Sequence, residues 1–65
     1  MTGSVAEFDE HGGFGTLEGE DGARYWFHCT AIADGSRTIA AATSVEFDVV
    51  PGRAGRWEAA NIRPR

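Results

Sequence analysis

Residues 14–29 read FGTLEGEDGARYWFHC. Apolar side chains here keep no 3.6-residue interval; they fall into two short runs, 14–19 and 24–29, separated by Asp21-Gly22, a dipeptide suited to a tight hairpin turn. Side chains alternate along a strand, so Tyr25 and Phe27 face one way and Trp26 and His28 the other. In the preceding run Phe14, Thr16 and Glu18 share a face opposite Gly15, Leu17 and Gly19. Upstream, residues 4–9 read as a first strand with Val5 on one face and Ala6 and Phe8 on the other, ending at Gly12-Gly13. Downstream, Thr30 is placed to cap one helical turn through Ala33, and Asp34-Gly35-Ser36-Arg37 is turn chemistry. Residues 39–42 suit about one further turn of helix. Residues 44–50 alternate, with Val45, Phe47 and Val49 inward against Glu46 and Asp48, and stop at Pro51-Gly52. A last strand fits residues 55–62. Five short strands in one chain point to an all-β barrel, because closure removes the exposed edges an open sheet would leave.

The chain has 65 residues, 42% of them hydrophobic and 25% charged. A chain of this size buries only about 60% of its unfolded surface and has room for one core, so residues 1–65 are expected to form a single domain. The longest apolar run, Ile39 to Ala42, is far short of the roughly 20 residues a bilayer span needs. No membrane role is expected. Neither a basic, apolar leader nor a second cysteine is present, which points to the cytoplasm.

The formal net charge is −4, the wrong sign for holding nucleic acid by net charge alone. Its distribution is uneven. Glu7, Asp9, Glu10, Glu18, Glu20 and Asp21 crowd the first third without a basic residue, while Arg53, Arg56, Arg63 and Arg65 oppose only Glu58 at the other end. Every basic residue is arginine, the type suited to phosphate forks and to stacking on bases.

A domain this small cannot bury both faces of its third strand. One aromatic face therefore stays exposed, and Phe8 and Phe14 join Trp26 on it if the first three strands are neighbours. Base stacking on such a face is worth about 1–3 kcal/mol per base, enough to bind single strands without a large positive field. Other chemistry is poorly supported. His11, His28 and Cys29 lack a zinc-ligand spacing, no nucleophile stands beside a base and its orienting partner, and Cys29 reads as a small hydrophobe at a strand end. The expectation is no enzyme, no metal and no cofactor.

Gly13-Phe14-Gly15, followed eleven residues later by Trp26-Phe27-His28, resembles the cold-shock domain family, whose two ribonucleoprotein motifs read approximately K-G-F-G-F-I and V-F-V-H-F. The similarity spans nearly the whole chain, from Gly3-Ser4-Val5 and Phe8-Asp9 through Thr30-Ala31-Ile32 to Ala59-Ala60-Asn61-Ile62. It implies a five-stranded OB-fold Greek-key barrel that stacks bases of single-stranded RNA or DNA on positions matching Phe8, Phe14, Trp26 and His28, in RNA-chaperone or transcription-antitermination roles. This sequence also departs from the family pattern. K-W-F is Ala6-Glu7-Phe8 here, the Lys before G-F-G is Gly12, the second aromatic of the first motif is Thr16, and the final Phe of the second is Cys29. Arg37 is nearest to the family's loop aromatic. Arg53, Arg56 and Trp57 enrich the region near the family's final G-P. The candidate nucleic-acid residues are thus Phe8, Phe14, Trp26, His28, Arg56 and Trp57, with binding expected to be weak and tolerant of pyrimidines. The rival reading is a protein-interaction module that kept the barrel and lost the ligand.

Overall fold

The computed structural model describes residues 1–65. Strands β1 (Thr2–Asp9), β2 (Phe14–Gly19), β3 (Arg24–His28), β4 (Ser44–Pro51) and β5 (Trp57–Pro64) close into a barrel in the order β1-β2-β3-β5-β4, with β4 returning to β1. All pairings are antiparallel except β3 with β5. This is the expected five-stranded, all-β barrel of OB-fold type.

Alternation on β2 and β3 decides what is inside. Leu17 pairs with Tyr25 and Gly15 with Phe27 on the inner face, while Phe14–His28, Thr16–Trp26 and Glu18–Arg24 pair on the outer one. The core consists of Val5, Leu17, Tyr25, Phe27, Ile32, Val45, Phe47, Ala59 and Ile62, and it contains no buried charged or polar residue. Gly15 is required at its place. A Cβ there would collide with the Glu7 carbonyl oxygen and press on the Phe27 ring, so β1 and β2 approach closely only because that side chain is missing.

Besides a later start for the last strand, at Trp57, three expectations change. First, Val5 pairs with Leu17 but Glu7 pairs with Thr16, leaving Ala6 as the extra residue of a β-bulge. The bulge resets the alternation, so Phe8 pairs with Gly15 and turns toward Val5's side instead of sharing the outer face with Phe14 and Trp26. Second, the turn after β3 is a 3₁₀ turn over Cys29–Ala31 capped by His28, not by Thr30. It ends early because Ile32 is drawn into the core, where it bridges Ile62 and Ala33 N–H donates to the Ile62 carbonyl at 2.8 Å. Third, residues 39–42 form no helix. Ala42 N–H donates to the Val5 carbonyl at 2.8 Å, and Val5 N–H donates to that of Thr43 at 2.9 Å. These β1 contacts supply at once what a one-turn helix would first have to nucleate.

Candidate nucleic-acid interface

Two cross-strand rows build the outer face of β1, β2 and β3: Asp9, Phe14 and His28 in one, Glu7, Thr16 and Trp26 in the next. Phe14 is 40% exposed, and its ring stacks on Trp26 with centroids 6.2 Å apart and planes 21° from parallel. Trp26 in turn lies 6.4 Å from the His28 ring, tilted by 46°. The three rings form a continuous aromatic surface across β2 and β3. His28 is held in place from one side. Its Nδ1 accepts from Thr30 N–H at 3.3 Å and sits 3.0 Å from the Thr30 hydroxyl, which fixes the orientation of the ring.

Phe8 occupies the margin of this surface. Its ring stacks on buried Phe27 at 5.9 Å and 6° and packs against the core, yet it still lines a hollow of ≈ 330 Å³ together with Glu7, Asp9, Phe14, Thr16 and Trp26. Trp26 also borders two further hollows. One, of ≈ 480 Å³, is closed by His28, Arg53 and Arg56; the other, of ≈ 370 Å³, includes Arg24, Arg56 and Trp57. Trp57 is 60% exposed, the most exposed large apolar side chain of the protein. All six residues singled out from the sequence therefore meet around Trp26, with Phe8 half in the core.

The structure adds neighbours that the candidate set lacked. Arg24 shares its face with Trp26 and His28, a placement that two-residue periodicity already carries. Arg53 lines the same hollow as Trp26 because a tight turn with left-handed Ala54 and Gly55 folds it back beside Arg56, and no local pattern announces that. Thr16 lies between Glu7 and Trp26, and its Oγ1 is buried without a hydrogen-bond partner. Charge is sorted across the surface. Arginines 53 and 56 lie on the β5 side of Trp26, carboxylates 7 and 9 on the β1 side. Glu7 and Arg24 form an ion pair at 3.6 Å whose side chains are 78% and 60% exposed, a weak contact in water. No group of three His, Cys, Asp or Glu side chains converges as a metal site.

A closed five-stranded barrel with an outward aromatic face flanked by arginines is the architecture of OB-fold nucleic-acid-binding domains. Comparison with known sequences narrows the class. The profile of the 'Cold-shock' DNA-binding domain matches residues 1–65. Cold shock-like protein CspC of Bacillus cereus is 41% identical over 63 residues, covering 95% of each chain. Cold shock-like protein CspE of Buchnera aphidicola is 42% identical over 64 residues, 95% of this chain and 91% of its own. Cold shock-like protein CspLB of Listeria monocytogenes is 40% identical over 56 residues, 85% of each. The chain belongs to the cold-shock domain family.

Proposed function

We propose that this protein binds single-stranded RNA or DNA in the cytoplasm and acts as a cold-shock-like RNA chaperone or regulator of transcription or translation. The observation that carries the reading is the Phe14–Trp26–His28 surface. These rings lie outside a core already complete without them, and their exposed faces are what unpaired bases stack upon. Arg53 and Arg56 supply cations beside Trp26 for the phosphates. Stacking accepts any base, pyrimidines included. Affinity is modest, because the net charge is −4 and Glu7 and Thr16 stand where the family pattern has aromatics.

Titrating the protein with the heptamer dT7 at low salt, following Trp emission, tests this. Quenching is expected, since Trp26 lies within the surface, and a duplex of the same length should bind less well because paired bases hide their faces. A folded protein whose emission does not change at high micromolar dT7 would refute the proposal and favour the protein-interaction reading.

A further inference from the structure

The hollow beside Phe14 has walls of two kinds. Phe8, Phe14 and Trp26 offer ring surface, while Glu7 and Asp9 offer carboxylates. Asp9 Oδ1 is already engaged, accepting from His11 N–H and Gly12 N–H at 3.0 Å each. Its Oδ2 accepts nothing. Glu7 has one oxygen 3.6 Å from Arg24, too far for a short hydrogen bond, and is otherwise unengaged. Arg53 and Arg56 flank Trp26 on the opposite side. A strand whose phosphates follow the arginines therefore turns its bases toward the acidic wall, which repels phosphate and accepts only hydrogen-bond donors.

Base edges differ sharply before such a wall. Thymine and uracil present one N3–H between two carbonyl oxygens, both repelled by a carboxylate. Cytosine and adenine present an amino group next to a ring-nitrogen acceptor. Guanine alone places two donors side by side, N1–H and the N2 amine, and these match the two oxygens of one carboxylate. Resting on the stacking function proposed above, we infer that Glu7 is a specificity-determining residue that selects guanine at the one base position beside Phe14 and Trp26. The other positions stay indifferent to sequence.

Heptamers test this: dT7 and four versions with a central dG, dI, dC or dA, each titrated against the protein with fluorescence detection. The dG heptamer should bind at least about fivefold tighter than dT7, the lower end of what a bidentate base contact discriminates. Hypoxanthine, which keeps N1–H and lacks the amine, should fall between them. In Glu7→Gln the dG:dT ratio should collapse toward one while dT7 itself tightens, because the repulsive charge has gone. Glu46→Gln, the same charge change on β4, should leave the ratio unaltered. Binding of dT7 with equal or greater affinity than the dG heptamer overturns the inference and leaves the stacking function standing. An undiminished dG preference in Glu7→Gln, or an equal loss in Glu46→Gln, overturns it as well. Failure of every heptamer to bind folded protein refutes both.

Discussion

Leu17 and Phe14 lie three residues apart on β2 and on opposite faces, so truncating each separates the core from the aromatic surface. Leu17 has no exposed surface and sits in register between Val5 and Tyr25. Cutting it to alanine should cost about 2–5 kcal/mol through lost transfer energy and a residual cavity. A 65-residue domain has roughly 3–10 kcal/mol in total at typical per-residue stability, so Leu17→Ala leaves it marginal or unfolded. Phe14 is different. Phe14 is 40% exposed and its ring stacks on Trp26, an aromatic pair worth about 0.5–1.5 kcal/mol. Phe14→Ala should therefore lose about 1 kcal/mol of stability, lowering the melting temperature by about 4–8 °C. Its binding loss should be the larger effect, about 1–3 kcal/mol for one stacked base, or roughly 5- to 150-fold in Kd. Urea melts give the first quantity, and anisotropy of fluorescently labelled dT7, which does not depend on Trp emission, gives the second. If Phe14→Ala unfolds the domain, or leaves Kd unchanged while folded, the division into core and binding surface is wrong.

Two further outcomes follow from charge. Arg56→Ala should weaken dT7 binding and flatten the plot of log K against log salt by about 0.7, the share of one single-strand phosphate contact; an unchanged slope would remove Arg56 from the phosphate path. In the hairpin, Tyr25 Oη donates to Asp21 Oδ2 at 2.6 Å. That bond, helped by Ala23 N–H, holds the Asp21 carboxyl below its usual pKa, and it also raises that of the Tyr25 phenol. The Asp21 contribution is present above the ordinary carboxylate pKa and is lost as pH falls through the lowered folded value. The Tyr25 contribution is full below the ordinary phenol pKa and is lost as pH rises through the raised one. Wild type should thus exceed Tyr25→Phe in melting temperature most between about pH 4 and pH 10, and a difference that is flat from pH 2 to pH 11 would contradict this coupling.

Strand β2 was legible to the residue, and β3 to within one, because Asp21-Gly22 fixes the hairpin and alternation fixes the faces. Residues 44–50 likewise disclosed Val45 and Phe47 as core. What escaped reading depends on partners distant in sequence. The bulge at Ala6 exists only in the pairing of β1 with β2, and missing it misplaced Phe8. Ala42, with φ of 70°, follows β1 into a left-handed conformation that an alanine-rich stretch does not advertise. The last strand begins at Trp57, later than residue 55, because the preceding residues are held in the Arg53–Gly55 turn. Both aromatic motifs could be read from local pattern, but the sorting of carboxylates and arginines to either side of Trp26 needed the closed barrel.

The Arg53–Gly55 turn shows what that sorting costs in backbone terms. Ala54 has φ of 56° and Gly55 of 74°, and a left-handed alanine is strained by about 1–2 kcal/mol. Glycine would relieve it. The turn is held by Arg56 N–H donating to the Arg53 carbonyl at 3.0 Å and by Gly52 N–H donating to that of Arg56 at 2.6 Å. No residue of the turn is buried, so packing in the core does not offset the strain. The reversal instead places two guanidinium groups, three residues apart in sequence, around one hollow with Trp26 and His28. An extended segment would alternate side chains at residues 53 and 56 to opposite faces and leave only one arginine beside the rings. Strained backbone tends to gather at functional sites, and here the left-handed turn that joins β4 to β5 also brings together the two arginines that the proposed function assigns to phosphate.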